Sequence, residues 1–134
     1  MGADTIRIIG DVEFPVGAEA RENIVVEGSL VIGDRCHFQG TIKASGDIDV
    51  GSEVLIEGNL VAEGSVKIGK DTVIKGSVNA EGSVRLGENT SIGLALISGG
   101  NVELHKDARV FKNIFSQGHI HVLWTSEEEM QQTV

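Results

Sequence analysis

Residues 64–81, GSVKIGKDTVIKGSVNAE, and residues 82–99, GSVRLGENTSIGLALISG, are two consecutive copies of one 18-residue repeat. Both copies begin with glycine and carry aliphatic residues at the third, fifth, eleventh and fifteenth positions. A unit that recurs at a constant period predicts an architecture in which each repeat stacks on the next. The first-position glycine recurs without insertion or deletion at Gly10, Gly28, Gly46, Gly64, Gly82, Gly100 and Gly118.

Each repeat holds apolar or small residues at three pairs of positions, namely 3 and 5, 9 and 11, and 15 and 17. One outward residue separates the members of a pair, which is the period of a strand with one buried face. Three short strands per repeat predict an all-β, single-domain parallel β-helix, a triangular solenoid with 18 residues per coil and about six to seven coils. Two of the predicted inward stacks are Leu30, Ile48, Val66, Val84 and Val102 at position 3, and Phe38, Ile56, Ile74 and Ile92 at position 11.

Further glycines lie between the pairs, at position 6 in Gly51 and Gly69 and at position 13 in Gly58 and Gly76. Glycine is required where a backbone needs a positive φ angle or approaches another backbone closely. We therefore predict corners of the solenoid at these positions.

The repeat pattern divides the chain into three parts. Residues 1–10 are predicted to be a short N-terminal tail, residues 11–122 the β-helix, and residues 123–134 a C-terminal cap or an acidic tail. Thr125 or Ser126, followed by glutamates, is a sequence that can cap a short helix, so both interpretations of the last part remain open.

Composition limits the partners and the compartment. The net charge of −9 argues against a nucleic-acid-binding protein, which requires a basic surface. The single Cys36 excludes an intramolecular disulfide framework, and the N-terminus has no signal-peptide pattern. No apolar run is long enough to span a bilayer, so we expect a cytoplasmic protein with no clear membrane segment.

The sequence VKIGKDTVIKGSVNAEGSVRLG (residues 66–87) resembles the bactofilins, a bacterial family of polymer-forming cytoskeletal proteins. The resemblance lies in an apolar-x-apolar-Gly corner, two polar residues and a small residue, followed by apolar-x-Gly-x-apolar-x-Ala. It implies a right-handed triangular β-helix that polymerises head to tail, without nucleotide, into filaments or sheets. It also implies a structural protein rather than an enzyme, with copies of itself as its main partner and with other protein partners left open.

A second family provides the alternative interpretation. The strings IGDRCHF, VGSEVLI, IGKDTVI and LGENTSI also fit the left-handed hexapeptide β-helix of acyltransferases and gamma-class carbonic anhydrases. Such acyltransferases usually hold a catalytic histidine on or beside a loop that interrupts the coils, and the unbroken glycine register leaves no room for such a loop. A third hypothesis is a β-helical module that binds another protein.

Few residues are candidates for chemistry, and we predict no catalytic site, cofactor or metal. Cys36 and His37 are adjacent in a predicted strand and therefore point to opposite faces, which prevents a nucleophile–base contact. His105, His119 and His121 are the best candidates for metal ligands, because the last two share one side of a strand. We interpret all three as surface histidines.

An unusual apolar surface is predicted near the C-terminal end. Leu94, Ile97, Phe111 and Phe115, here called the apolar patch, occupy outward positions 12, 13 and 16 of two adjacent coils. We predict that the patch and Trp124 form an interface, since exposed apolar patches commonly mark association surfaces. The other interpretation is that the C-terminal residues fold over the patch within one chain.

Overall fold

A computed structural model describes residues 4–123 of the chain, and all regular structure in this range is β. Its short strands form three parallel sheets, here called sheets A, B and C, which are the three sides of a solenoid. Sheet A contains β1 (Thr5–Ile9), β4 (Asn23–Glu27), β7 (Ile42–Ala44), β10 (Leu60–Ala62), β13 (Val78–Ala80), β16 (Leu96–Ser98) and β19 (Ile114–Ser116). Sheet B contains β2 (Val12–Phe14), β5 (Leu30–Ile32), β8 (Ile48–Val50), β11 (Val66–Ile68), β14 (Val84–Leu86), β17 (Val102–Leu104) and β20 (Ile120–Val122). Sheet C contains β3 (Glu19–Ala20), β6 (His37–Phe38), β9 (Leu55–Ile56), β12 (Val73–Ile74), β15 (Ser91–Ile92) and β18 (Arg109–Val110).

The register of the sheets confirms the 18-residue coil. Val66 is opposite Ile48 on one side and Val84 on the other, and the same offset of 18 residues holds for the other strand pairs of residues 4–123. The chain forms about seven turns of a parallel β-solenoid, as the sequence predicted. Its handedness stays a prediction.

The core lies inside the three sheets and contains the predicted inward stacks. All residues of the position-3 and position-11 stacks are buried, and Phe38, Ile56, Ile74 and Ile92 have no exposed surface. Identical positions lie about 4.8 Å apart along the axis, so each aliphatic side chain packs on its equivalents above and below. The core is therefore a continuous column rather than a single central cluster.

Two buried threonines show how polar atoms are accommodated in this core. Thr72 and Thr90 occupy the small inward position 9 and are fully buried. The hydroxyl of Thr72 donates a hydrogen bond to the Gly51 carbonyl at 3.0 Å, and that of Thr90 donates to Gly69 at 3.1 Å. These hydrogen bonds offset the cost of burying a hydroxyl, and they link each coil to the one before it.

Of the two reasons that the sequence offers for glycine at the corners, the structure shows close backbone approach. Glycines at positions 6 and 13 are present because of close approach: a Cβ on Gly58 would lie 2.5 Å from the Gly40 carbonyl oxygen. The positive φ angles of non-glycine residues occur at position 8, in Arg35, Glu53, Asp71, Asn89 and Asp107. Asp and Asn tolerate this conformation better than most residues, which explains three of the five.

The N-terminal boundary also differs from the prediction. Residues 1–10 were predicted to be a tail, but Thr5–Ile9 forms β1 and pairs along its whole length with β4. The reason is that β4 presents an open parallel edge, and Ile6 and Ile8 stack on Ile24 and Val26. Residues 124–134, which include most of the predicted cap or tail, lie outside the described range.

Replacing Ile74 by Asp tests the inward column. We expect the free energy of unfolding to fall by about 5 kcal/mol, which is enough to unfold a domain of this size, because a carboxylate would enter a dry core. Val73→Asp is the matched control, since Val73 precedes it in β12 and is 40% exposed. Thermal melts followed by circular dichroism distinguish the two, and a wild-type melt for Ile74→Asp would contradict the assigned register.

Candidate assembly surface

The apolar patch is exposed on the corner between sheets C and A. Leu94 and Ile97 are 43% and 39% exposed, and Phe111 and Phe115 are 64% and 58% exposed. Ile97 and Phe115 are register partners in β16 and β19, so their side chains are one rung apart on the same face. The predicted outward orientation of these four residues is confirmed, while their role as an interface stays a prediction. Trp124, the fifth predicted residue, lies outside the described range.

The C-terminal end of the described solenoid leaves core positions open. Ile120 and Val122 occupy inward positions 3 and 5 of the last coil, yet they are 47% and 50% exposed. Val102, at the equivalent position one coil earlier, is fully buried. The difference arises because no described residue stacks on β20, and this open end adjoins the apolar patch on β19.

The N-terminal end is open in the same way. β1 and β2 pair with a strand on one side only among the described residues. Ile6, at an inward position, is 41% exposed, and Ile9 and Val16 nearby are 80% and 57% exposed. Unpaired strand edges with apolar side chains recruit further strands unless they are covered. The repeat pattern in the sequence predicts these ends but does not identify their exposed aliphatic residues.

Between the two ends, outward charges on neighbouring coils form pairs. The Arg85 Nε donates to Glu103 Oε2 at 2.6 Å, and Lys75 Nζ lies 3.9 Å from Glu57 Oε1. His37 Nε2 contacts Glu57 Oε2 at 2.5 Å, a diagonal contact between adjacent coils. The hydrogen bond with His37, aided by the charge of Lys75, holds the pKa of Glu57 below its ordinary value. These exposed pairs favour the stacked register but contribute little stability each.

Cys36 and His37 point to opposite faces, as predicted. Cys36 is buried and its thiol donates to the Pro15 carbonyl at 3.2 Å, while the His37 ring lies on the surface beside Glu57. The thiol therefore fills a small inward position, and its partners among the described residues are the carbonyls of Pro15 and Asp34 rather than a base. This geometry favours a structural role for both residues.

The three C-terminal histidines are only partly brought together. The rings of His119 and His121 are in edge contact, with centroids 5.9 Å apart, and His121 is the register partner of Glu103. Within residues 4–123, no group of three or more His, Cys, Asp or Glu side chains is arranged to hold a metal ion.

A groove on the outer face of sheet B was not predicted from the sequence. It has a volume of about 580 Å³ and runs along several coils between the side chains at positions 2 and 4. Its shape follows from side-chain length, because position 2 holds short residues such as Ser65 and Ser83 while position 4 holds Lys67 and Arg85. We call it the sheet-B groove. The alternation of short and long outward residues is the sequence signal that identifies it in retrospect.

No helix capable of crossing a bilayer occurs in the described part of the chain.

Comparison with known proteins identifies a family whose model matches the regular coils. No curated protein and no solved structure matches the sequence. A family model, described as bactofilin, polymer-forming cytoskeletal, matches residues 30–122, which is more than half of the 134 residues. The matched range begins in β5 and ends in β20, so it covers the regular coils of the solenoid, and the chain belongs to the bactofilin family of polymer-forming cytoskeletal proteins.

Proposed function

We propose that this chain is a structural protein of the cytoplasm that assembles with copies of itself into polymers, without nucleotide and without catalytic activity. The observation that supports this most strongly is the pair of ends of the described solenoid, where inward aliphatic residues are exposed and no described strand pairs with the outer edges. The family assignment points in the same direction, since its members are described as polymer-forming.

The ends are suited to association for two physical reasons. First, the outer edges of β1 and β20 carry backbone groups that a further strand can pair with. Second, Ile120 and Val122 would each contribute about 1 kcal/mol on burial, since roughly half of each side chain is exposed. A second copy stacked on an end satisfies both needs, because its own first or last coil has the same three-sided outline.

The apolar patch is proposed as a further contact surface between copies. Phe111 follows β18 and Phe115 lies in β19, which are the last described strands of sheets C and A. The patch therefore continues from the open C-terminal end onto the side of the solenoid. A copy bound at this end or alongside it would cover both phenylalanine rings, and Trp124 is proposed to join the same interface.

The enzyme alternative has no supporting observation in the described residues. The register from β2 to β20 advances by 18 residues from each coil to the next, and no loop interrupts these coils. A hexapeptide-type acyltransferase would need such a loop, or a second chain, to position a catalytic histidine.

Assembly is expected to occur without nucleotide or metal. Purified protein should form filaments or sheets in negative-stain electron microscopy, and it should pellet in sedimentation, equally well with ATP, with GTP and with EDTA. Apolar burial and backbone pairing require none of these additives, and they predict only a weak dependence on salt. Polymers that disappear on adding a chelator, or that form only with nucleotide, would refute this mechanism.

The double substitution Phe111→Ser with Phe115→Ser tests the apolar patch. Two half-exposed rings contribute on the order of 2 kcal/mol when buried, so the concentration needed for assembly should rise by about tenfold or more. Sedimentation measures assembly and circular dichroism measures folding, which should be retained because neither ring lies in the core.

Val31→Ser with Val73→Ser is the matched control, since these outward valines are 42% and 40% exposed but lie away from the patch. This control should assemble as the unmodified protein does. Unchanged assembly of the phenylalanine variant with an intact fold would exclude the patch as an interface. Loss of its fold would instead support the interpretation that the C-terminal residues cover the patch within one chain.

A further inference from the structure

Two histidine rings lie side by side on the last described coil. His119 directly precedes β20 and His121 is its middle residue, so both side chains point outward on sheet B, with the inward Ile120 between them. Their ring centroids are 5.9 Å apart, and the planes of the rings meet at 63°. Both residues are exposed, so a small solute can reach the two rings together. The sequence places these residues on one face, and the structure adds that their rings are in contact.

The separation of the two rings is close to the one that a shared metal ion requires. The bond between an imidazole nitrogen and an ion such as Zn²⁺ is about 2.0–2.1 Å long, and tetrahedral coordination sets the angle between two such bonds. Two imidazoles on one ion therefore have ring centroids about 5 Å apart. The observed separation of 5.9 Å differs from this by about 1 Å, which small rotations of exposed histidine side chains can supply.

The backbone below the two rings is fixed by the preceding coil. The His119 N–H donates to the Asn101 Oδ1 at 2.9 Å, and the His119 carbonyl accepts from the Val102 N–H at 2.9 Å. His121 is the register partner of Glu103 in the parallel pair of β17 and β20. The two histidines therefore stand on extended backbone that holds alternate side chains on one face. Binding an ion restricts only the two side chains, because the chain below them is already ordered.

The donor atoms decide which ions the pair selects. Glu103 is the nearest carboxylate in register, and its Oε2 accepts a hydrogen bond from the Arg85 Nε at 2.6 Å. It is therefore engaged by a cation of its own chain, and the two imidazoles are the donors that face a solute. Mg²⁺ and Ca²⁺ prefer oxygen ligands, whereas imidazole nitrogen suits Zn²⁺, Ni²⁺ and Cu²⁺.

We propose that His119 and His121 together chelate one late first-row transition-metal ion per chain, such as Zn²⁺, Ni²⁺ or Cu²⁺. Within residues 4–123, no third His, Cys, Asp or Glu side chain joins them, so the remaining coordination positions are open to water or to a donor from another molecule. A catalytic zinc site uses three protein ligands. The pair therefore holds an ion without forming a catalytic centre.

The chelate goes beyond the proposed function and is independent of it. The two histidines lie on sheet B, whereas the apolar patch lies on the corner between sheets C and A. Assembly is expected to be insensitive to EDTA, so a bound ion is an addition to the polymer rather than a requirement for it. The failure of either proposal leaves the other in place.

Equilibrium dialysis against ZnCl₂, and separately against NiCl₂, measures the bound ion whatever the assembly state of the protein. We expect about one ion per chain, as chelation by one histidine pair requires. His119→Ala and His121→Ala should each weaken binding by about tenfold or more, because the tether between the two rings gives the second nitrogen a high effective concentration. Two independent surface histidines would behave differently, since each single substitution would then remove only half of the bound ion.

His37→Ala and His105→Ala are the matched controls, because they remove the other two histidines of the chain. Both should bind zinc and nickel as the unmodified protein does. A large excess of MgCl₂ should leave zinc binding unchanged, since Mg²⁺ is a poor competitor for imidazole. Circular dichroism should show the same fold in every variant, because the rings of His119 and His121 lie outside the core.

Four results would overturn the proposal. The first is zinc binding that is undetectable, or that persists when both His119 and His121 are replaced by Ala. The second is a single substitution that halves the bound ion and leaves the affinity of the rest unchanged. The third is a loss in His105→Ala as large as that in His121→Ala, which would place the site elsewhere. The fourth is half an ion per chain, which would show one ion shared between two copies.

Discussion

Hydrogen bonding between coils 18 residues apart is the constraint on which the structure depends. The clearest example is the first-position glycine, where the Gly64 N–H donates to the Gly46 carbonyl at 3.1 Å and the Gly82 N–H donates to Gly64 at 2.9 Å. At Gly64 a Cβ would lie 3.0 Å from the Gly46 carbonyl, so a side chain would push the coils apart. Each coil must therefore match its neighbours in length, because a one-residue shift would turn inward side chains to solvent.

Stacking equal coils also sets the energetics of the core. Every inward residue packs on its equivalents above and below, so stability is distributed along the axis as contacts between neighbouring coils. Buried polar residues fit this scheme only where their hydrogen bonds reach the adjacent coil, as the Thr72 hydroxyl does to Gly51. Within residues 4–123, the first and last coils have a neighbour on one side only, and Ile6 and Ile120 are exposed there for that reason. A protein built in this way presents its least satisfied surfaces at the ends of its solenoid.

The outer surface is under fewer constraints, and its three sides have different characters. A cluster of ionisable side chains lies toward the middle of sheet C and consists of Glu57, His37 and Lys75. The apolar patch lies on the corner between sheets C and A, in the C-terminal coils. Sheet B carries the groove, with Lys67 and Arg85 at its centre. Because outward side chains do not fill the core, the chemistry of each face can differ while the solenoid stays the same.

Much of this structure was determined by the sequence alone. The alternation of period two and the 18-residue spacing specify which residues point inward, which residues are register partners, and which positions approach closely enough to require glycine. The same periodicity places Ile97 and Phe115 on one outward face. These properties follow from local periodicity, because a strand alternates its side chains and a fixed repeat brings equal positions together.

The tertiary structure decided what depends on contacts that the repeat does not encode. The pairing of Thr5–Ile9 with β4 extends the solenoid into the predicted tail, because an open strand edge was available. The positive φ angle at position 8 is imposed by the path of the corner, and Arg35 and Glu53 adopt it without being glycine. The contact of His37 with Glu57 is diagonal between coils, and the groove on sheet B depends on relative side-chain lengths. Periodicity assigns a residue to a column, but the width of a groove and the reach of a side chain are set only when the coils are stacked.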